Sequence, residues 1–407
     1  MAEQNKRTVW ITVLVAALGY FVDVYDLVLF SIVRVPSLTD LGFQDKELLD
    51  VGVFLLNMQM IGMLVGGVFW GIVGDKKGRV SVLFGSIFLY SVANILNAFV
   101  TTEFQYGLMR FLAGVGLAGE LGAAITLVSE IMSKESRGYG TAIVAGVGLS
   151  GAVFAGLTGD YFSWKTAYIM GGCLGLLLLC LRMGILESGF FQKMKQEERV
   201  RKGDFLMLFS SKKRLIKYLS CIFIGVPVWS VIGVLVTFSP EICKELGLIG
   251  DVSAGKGIMM AYAGIATGDL ISGLISQWIR SRKKVVAFFL TATFICITAI
   301  LFGGYKTAET FYILCVIVGF FTGYWAVFMT IASEQFGTNL RATVTTTVPN
   351  FVRGSVVPLT LSFRYLQQHM SLVSSVTVIT LVCAFLAYAA LYLLQETYGK
   401  DLNYFER

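Results

Sequence analysis

Charged side chains are scarce in this sequence of 407 residues, of which 14% are Asp, Glu, Lys or Arg and 56% are apolar. Soluble globular domains carry about 25% charged residues. The shortage excludes a soluble domain, a disordered or collagen-like chain, a secreted disulfide scaffold and a nucleic-acid-binding protein. The class that remains is an all-α polytopic membrane protein, because a transmembrane β-barrel shows weakly alternating segments of about ten residues instead of long apolar runs.

Histidine, metal-ligand spacing and catalytic fingerprints are also missing. The one histidine, His369, falls in a predicted loop, which excludes a histidine proton relay inside the membrane. The seven cysteines show no CxxC or other metal spacing, and six lie within apolar runs as core residues. No Walker motif, cofactor fingerprint or catalytic-triad spacing is present. We therefore expect no cofactor, no metal and no enzymatic activity.

Apolar runs bounded by charge and turn clusters predict twelve transmembrane helices. Most of the 33 basic residues fall in loops on one side of these spans, so both termini are expected in the cytoplasm; Arg34 is assigned to an outer loop. The net charge of +7 reflects this topology and requires no nucleic-acid partner. The predicted spans are 8–33, 51–74, 80–99, 104–131, 138–160, 164–187, 215–239, 254–279, 285–304, 309–333, 342–366 and 372–395.

One long polar stretch, residues 188–214, divides the chain into an N-terminal bundle at 1–187 and a C-terminal bundle at 215–407. It mixes both charges with phenylalanines, which is typical of an amphipathic cytoplasmic linker on the membrane surface. Six spans precede it and six follow it. The sequence therefore predicts two six-helix bundles.

The two halves repeat at an offset of 204 residues. Glu130 and Arg137 recur as Glu334 and Arg341 at this offset, and Gly119 recurs as Gly323. Six-helix repeats related by an axis along the membrane normal are a known transporter plan, with the substrate site near the midplane between the halves. A channel, a receptor or a membrane enzyme has no special reason to show such a duplication.

The stretch between the second and third spans carries a family signature. Gly71, Asp75, Lys76, Gly78 and Arg79 match the pattern G-x-x-x-D-[RK]-x-G-R at every defined position. With this motif the sequence resembles the major facilitator superfamily over nearly its whole length. The resemblance implies a fold of twelve helices in two pseudo-symmetric bundles.

The same motif indicates a cytoplasmic gate. Together with Glu130, Arg137, Glu334 and Arg341, its residues form charge pairs that close the inner end in one conformation and break in the other. The alternative is a basic turn that fixes topology and has no gating role.

Two further motifs indicate branches of the family. Arg110, Gly114 and Gly116 resemble the R-x-x-x-G-x-G signature of the fourth span, and the pair Gly119-Glu120 after them is similar to the metabolite:proton symporters. The first span reads Asp23-Val-Tyr-Asp26-Leu, which is similar to the D-G-Y-D-L of the aromatic-acid:proton symporters, with valine in place of glycine.

Four ionisable residues within the predicted spans are candidates for proton coupling, because a charge in a membrane is functional or paired. At 1.5 Å per residue, Asp26 and Arg110 lie about 10 and 9 Å from the outer end, so they can form an ion pair. Asp23 lies on the same helix face, and one of the two carboxylates is then free to carry a proton. Glu120 is the alternative proton carrier, and a static ion-pair network is the alternative to any proton role.

Asp269 and Arg353 both fall near the membrane midplane. One possibility is that they form a structural salt bridge with each other. The other is that Arg353, beside Pro349 and Asn350 in a span expected to bend, binds an anionic group of the substrate.

Four aromatic residues lie where the resemblance places a central cavity, on spans one, seven and ten. We expect Tyr25, Trp229, Tyr324 and Trp325 within reach of a substrate, with packing or lipid contact as the alternative.

These features predict a secondary active transporter that works by alternating access. The preferred function is proton-coupled symport of a small organic acid, amino acid or related metabolite. The alternatives are a proton-driven exporter of a siderophore or drug-like compound and a receptor or accessory membrane protein that transports nothing. We expect a monomer in a bacterial inner membrane, whose partners are its substrate, protons and the lipid bilayer.

Overall fold

The computed structural model describes residues 2–44, 46–77, 79–119, 137–186 and 205–399. These residues are helical apart from turns, short connections and one isolated β-bridge between Ile249 and Thr307. Eight segments are long and apolar enough to cross a membrane, by length and composition. Large apolar side chains face outward along them, among them Leu274 at 70% and Phe385 at 73% exposure.

The described helices of the first half follow the predicted spans. Helix α1 extends to Asp40, beyond the predicted end at residue 33, and includes Arg34 as a fully buried residue. The assignment of Arg34 to a loop is therefore wrong, because the guanidinium finds an ionic partner inside the protein. The helices are α1 (Ala2–Asp40), α2 (Lys46–Lys77), α3 (Arg79–Asn97), α4 (Glu103–Leu117), α5 (Arg137–Tyr161) and α6 (Trp164–Leu186).

The second half contains interrupted helices. A π-helical turn, Val231–Val236, separates α7 from α8; Gly323 and Tyr324 separate α11 from α12; and Ser355 separates α13 from α14. The second and third of these pairs each fill one predicted span, whereas the helix Ser239–Glu245 begins where the predicted span 215–239 ends. Such interruptions in membrane helices line cavities or functional sites. After a 3₁₀ turn at Phe205–Leu208, the helices are α7 (Lys212–Ser230), α8 (Ser239–Glu245), α9 (Ala254–Trp278), α10 (Arg282–Phe302), α11 (Ala308–Thr322), α12 (Trp325–Glu334), α13 (Thr338–Gly354), α14 (Val356–Leu366) and α15 (Leu372–Leu393).

Glycines allow equivalent helix pairs in the two halves to pack backbone against backbone. A Cβ atom at Gly114 of α4 would lie 2.0 Å from the carbonyl oxygen of Gln59 on α2. A Cβ atom at Gly319 of α11 would lie 2.1 Å from the carbonyl oxygen of Ala261 on α9. Small residues are the usual means of close helix contact in membranes. Both pairs join the second and fourth spans of a half, which accords with the predicted repeat.

Candidate functional site

A buried ion pair joins the two halves, between the middle of α1 and the end of α13 beside its break from α14. Nη2 of Arg353 on α13 lies 3.6 Å from Oδ2 of Asp23 on α1, and the two side chains are 2% and 0% exposed. Charges buried in a membrane are costly unless they are paired. Each half supplies one charge, so the ion pair depends on how the halves pack together.

Part of the guanidinium in this ion pair is unused. Nε and Nη1 of Arg353 are buried and have no hydrogen-bond partner among the described residues, and the same holds for the indole N–H of Trp229 on α7. Tyr20 of α1 and Tyr262 of α9 lie within electrostatic range of both Asp23 and Arg353. A guanidinium with free N–H groups is suited to bind a carboxylate through two parallel hydrogen bonds.

Asp269 contacts a helix end, and of the two possibilities left open by the sequence, its salt bridge with Arg353 is not formed. Its Oδ1 accepts a hydrogen bond of 2.6 Å from the backbone N–H of Ala326, in the first turn of α12. The first N–H groups of a helix lack partners within the helix, and a carboxylate there also interacts favourably with the helix dipole. Asp269 therefore caps a helix that restarts inside the bundle.

Gly323 permits this arrangement. A Cβ atom at this position would lie 2.6 Å from the backbone nitrogen of Asp269 and 2.7 Å from the carbonyl oxygen of Ile265. Only glycine allows the interrupted span to approach α9 so closely, and the carboxylate of Asp269 thereby reaches the start of α12.

The interior of the first half holds a second polar cluster. Asp26 and Arg110 are both fully buried and within electrostatic range of each other, but the expected ion pair between them is not formed. Nη1 of Arg110 instead donates to Oδ1 of Asn94 at 3.4 Å, and its guanidinium lies 5.2 Å from the ring centre of Tyr168. Arg110 therefore hydrogen-bonds to Asn94 of α3, and not to Asp26 as the similar depths of these two residues predicted.

Three other residues predicted to bind substrate, Tyr25, Tyr324 and Trp325, contact neighbours within their own half. Tyr25 donates to the carbonyl oxygen of Ala167 at 2.8 Å, and Tyr324 donates to that of Ile224 at 2.9 Å. Both hydroxyl groups are thus engaged with neighbouring helices of their own half. Trp325 begins α12 and lies 5.0 Å from Phe328, measured between ring centres.

Asn350 connects the halves. Its Nδ2 donates to the carbonyl oxygen of Ala118, after the end of α4, at 3.2 Å, and to that of Thr346 on its own helix at 3.1 Å. The residue predicted beside the substrate therefore holds α13 against the first half, one turn from Arg353.

One end of the bundle is closed by contacts between the halves. We call it the Asp40 end, because α1 ends there at Asp40. The carboxylate of Glu241 on α8 lies 2.7 Å from Nη1 of the fully buried Arg34 on α1. Nearby, Arg364 of α14 lies 2.6 Å from Asp50 of α2, in a more exposed ion pair.

At the opposite end, two of the predicted gate residues make contacts within the second half. Glu334 lies 3.7 Å from Arg282, and Nε of Arg341 donates to the carbonyl oxygen of Ser333 at 3.2 Å. Gly78, Glu120 and Glu130 lie outside the described residues. The side chains of Asp75, Lys76, Arg79 and Arg137 also lie outside the described part, although the backbone of these residues and of Gly71 belongs to α2, α3 and α5.

Several residues of these clusters were not predicted from the sequence. Arg34 interrupts the apolar run of residues 27–38, and Asn94 interrupts an apolar run of α3. Such interruptions are the available signal, because a polar side chain in a membrane helix faces the protein interior. Tyr20 and Tyr262 carry no comparable signal, since tyrosine is common throughout this chain.

Comparison with known proteins agrees with this architecture. The chain is 26% identical over 290 residues to the sialic acid transporter NanX of Escherichia coli, covering 69% of this chain and 68% of that protein. It is 25% identical over 383 residues to the cis,cis-muconate transport protein of Acinetobacter baylyi, covering 89% and 91% of the two chains. The crystal structure of a D-xylose-proton symporter has the same fold, with a TM-score of 0.70 at 17% identity over 97% of this chain and 99% of that one.

A family model described as Major Facilitator Superfamily matches residues 9–357. This match covers nearly all of the first half and most of the second, and it confirms the predicted fold class, together with the prediction of a membrane transporter instead of an enzyme. The chain therefore belongs to the major facilitator superfamily.

Proposed function

We propose that this protein is a proton-coupled symporter of a small organic acid. The observation that carries the proposal is the ion pair of Asp23 and Arg353, which joins the halves beside the break between α13 and α14 while two guanidinium nitrogens keep unused N–H groups. Sialic acid and muconate, named for the two relatives, are carboxylic acids. A carboxylate substrate is therefore the class that fits Arg353.

The ion pair suggests how substrate and proton are coupled. A substrate carboxylate that binds Arg353 competes with Asp23 for the same guanidinium. Asp23 then loses its cation, and a buried carboxylate without a cation favours its protonated form. Substrate and proton consequently bind together, which is the requirement for symport. Asp26, close to Arg110, is the second carboxylate available for the proton.

Alternating access requires that each end opens in turn. With both termini in the cytoplasm, as the distribution of basic residues predicts, the Asp40 end is the outer one. The buried ion pair of Arg34 and Glu241 then belongs to conformations closed to the outside. The proposal includes the predicted bacterial inner membrane and a monomeric transporter, since each chain supplies both halves of the site.

Uptake into proteoliposomes tests the proposal. Radiolabelled sialic acid, cis,cis-muconate, benzoate and nicotinate are offered with and without an acidic exterior. We expect accumulation of at least one of these acids only with the pH gradient, and a loss of at least tenfold in Arg353→Lys, which keeps the charge but not the fork-shaped donor geometry. Arg364→Lys, in an exposed ion pair, is the matched control.

Three results would contradict the proposal. Accumulation without a pH gradient would show that transport is not coupled to protons, and full uptake by Arg353→Lys would show that the guanidinium does not bind the substrate. Gradient-driven extrusion of drug-like compounds, with no uptake of any acid, would favour the exporter instead.

A further inference from the structure

Four fully buried polar residues from four different helices meet inside the first half. They are Asp26 of α1, Asn94 of α3, Arg110 of α4 and Tyr168 of α6. An arginine and an aspartate at close range would ordinarily bind each other directly, because a charge-assisted hydrogen bond is strong away from water. Asp26 and Arg110 nevertheless make no hydrogen bond to each other, and the neutral Asn94 lies beside both of them.

Arg110 is held by two neutral side chains. Its Nη1 donates to Oδ1 of Asn94 at 3.4 Å, and its guanidinium lies 5.2 Å from the ring centre of Tyr168, within the range of a cation–π contact. These two contacts come from α3 and α6, on either side of α4. They fix the guanidinium at a position from which it does not hydrogen-bond to Asp26.

A directional chain of hydroxyl groups fixes Tyr168 in turn. Tyr106 donates to Ser37 at 3.0 Å, and Ser37 donates to the carbonyl oxygen of Arg34 at 3.0 Å. The hydroxyl groups of Tyr106 and Tyr168 are 3.0 Å apart. Since a tyrosine has one hydroxyl hydrogen and that of Tyr106 is used on Ser37, Tyr168 must be the donor in this bond. The ring that faces Arg110 is thereby locked in place.

Asp26 is fixed on its other side by the backbone of α6. A Cβ atom at Gly171 would lie 2.5 Å from Oδ1 of Asp26 and 2.8 Å from the ring of Tyr25. The carboxylate therefore packs against a glycine, and a larger residue at this position would displace it. Contacts from α6 thus help to set the position of Asp26, as those from α3 and α6 set the position of Arg110.

We propose that Asn94 and Tyr168 are positioning residues of the proton site, which hold Arg110 out of hydrogen-bond contact with Asp26 so that this carboxylate can take up a proton. This inference rests on the proposed function, in which Asp26 is one of the carboxylates available for the proton. A guanidinium in direct contact favours the ionised carboxylate far more than one held at a distance. The two positioning residues thus adjust the pH range in which Asp26 exchanges its proton.

The titratable groups around Asp26 come from three helices. Asp23 and Tyr25 lie on its own helix, Arg110 on α4 and Tyr168 on α6. The contribution of α3 in this cluster is the neutral Asn94. Asp23 is engaged by Arg353, so Arg110 is the cation whose position decides the charge of Asp26.

Infrared titration of the full-length protein in proteoliposomes tests the proposal without a substrate. The protonated-carboxyl band that disappears in Asp26→Asn is assigned to Asp26, and its intensity is followed against pH. In Asn94→Ala, Arg110 is free to reach the carboxylate, so the pH of half-maximal intensity falls by about one unit. In Asn94→Asp, the introduced carboxylate binds Arg110 more firmly and adds negative charge, so the midpoint rises by about one unit.

Tyr168→Phe keeps the ring and loses the hydroxyl group, so we expect a smaller downward shift in a folded protein. The matched controls are Asn97→Ala, one turn along α3, and Tyr218→Phe, whose buried hydroxyl group donates to Thr347 in the second half at 2.8 Å. Both should keep the wild-type midpoint. A merely structural role of Asn94 cannot produce opposite shifts in its two variants.

The positioning role would be overturned if the midpoints did not move, or if both Asn94 variants shifted in the same direction. If the wild type still accumulates acids with a pH gradient, the proposed symport is unaffected by this result. The absence of any band assigned by Asp26→Asn would overturn the proton role of Asp26 and the positioning role with it. Uptake in the separate proteoliposome assay distinguishes these failures from failure of the proposed symport.

Discussion

Arg34 and Glu241 hold the two halves together at the Asp40 end through a two-pronged ion pair, with nitrogen–oxygen distances of 2.7 and 2.8 Å. The guanidinium also donates to the carbonyl oxygens of Leu48 at 3.1 Å and Thr237 at 3.2 Å, and it lies 4.7 Å from the ring centre of Phe238. These partners come from both halves. Opening of the Asp40 end must therefore break all of these contacts with the second half at once.

We predict that Glu241→Gln opens the Asp40 end. Removal of one partner leaves a fully buried guanidinium without its counterion, which costs about 3 kcal/mol when the site is dry and less here, because Glu241 is 20% exposed. The equilibrium should move toward conformations in which this end is open. Double electron–electron resonance between spin labels at Thr39 and Ile249, in a cysteine-free background, measures the separation of the halves.

The exposed ion pair of Arg364 and Asp50 supplies the control for this experiment. Exposed pairs contribute about 0 to 1 kcal/mol, so Asp50→Asn should leave the distance distribution near that of the wild type. Equal distributions for Glu241→Gln and the wild type would show that Arg34 does not hold this end closed.

The central ion pair should give a clear double-mutant cycle. We expect Asp23→Asn and Arg353→Gln each to lower the free energy of unfolding by about 3 kcal/mol, because each leaves one charge buried and unpaired. The double variant should recover much of this loss, since neither charge remains. Thermal unfolding in detergent measures the four proteins of the cycle.

Asp269 provides the matched comparison, because it caps α12 and does not contact Arg353. Asp269→Asn combined with Arg353→Gln should therefore show losses that add, with no recovery. Recovery in this pair, or additive losses for Asp23 and Arg353, would contradict the observed pairing.

The sequence predicts the position of a residue along its helix better than the direction in which its side chain points. Rise per residue predicts that Arg353 lies far from the helix ends of its span and that Asp26 and Arg110 lie close together, and in the structure Arg353 is buried and Asp26 and Arg110 are within electrostatic range of each other. It does not tell which way a side chain points around its helix or which helix is its neighbour. For this reason the sequence left open whether Asp269 pairs with Arg353, and Asn94 was not expected beside Arg110.

The helix spans were predictable because a membrane requires about twenty consecutive apolar residues whatever the tertiary packing. The interruptions were not. The break at Gly323 depends on a cap from Asp269 on another helix, and that contact exists only after α9 and α11 have packed. Arg34 illustrates the same limit, since a basic residue near a helix end suggests a loop until a buried partner such as Glu241 is found.

Gly171 should be intolerant of even one added methyl group. In Gly171→Ala the Cβ atom would meet Oδ1 of Asp26 at 2.5 Å and push the carboxylate from its position against α6. We expect gradient-driven uptake to fall at least tenfold, while exchange of substrate across the membrane persists. Gly273→Ala, where a Cβ atom meets nothing within 4 Å, is the control. Equal losses of uptake and exchange would indicate general destabilisation instead.

Glu396, beyond the end of α15, ties the segment after the last helix to the start of α10. It accepts hydrogen bonds from the hydroxyl group of Ser281 and from the backbone N–H groups of Arg282 at 3.0 Å and Lys283 at 3.2 Å. Burial raises the pKa of Glu396, but these hydrogen bonds and one from the backbone of Tyr398 outweigh it and hold the pKa below its ordinary value of 4.5. The ionised carboxylate therefore stabilises the folded protein.

Because the pKa of Glu396 is lower in the folded than in the unfolded protein, its contribution to stability is complete above about pH 5 and is lost as the pH falls through the folded-state pKa. Glu396→Gln keeps an acceptor and removes the charge. At pH 7 the free energy of unfolding of the wild type should therefore exceed that of the variant by about 1 kcal/mol or less, given the partial exposure, and the wild type should unfold at a higher temperature. The difference should shrink as the pH falls from 5 toward 3. Glu309→Gln, in the first turn of α11, is the control, and a difference between wild type and Glu396→Gln that is the same at pH 3 as at pH 7 would rule out the charge as its cause.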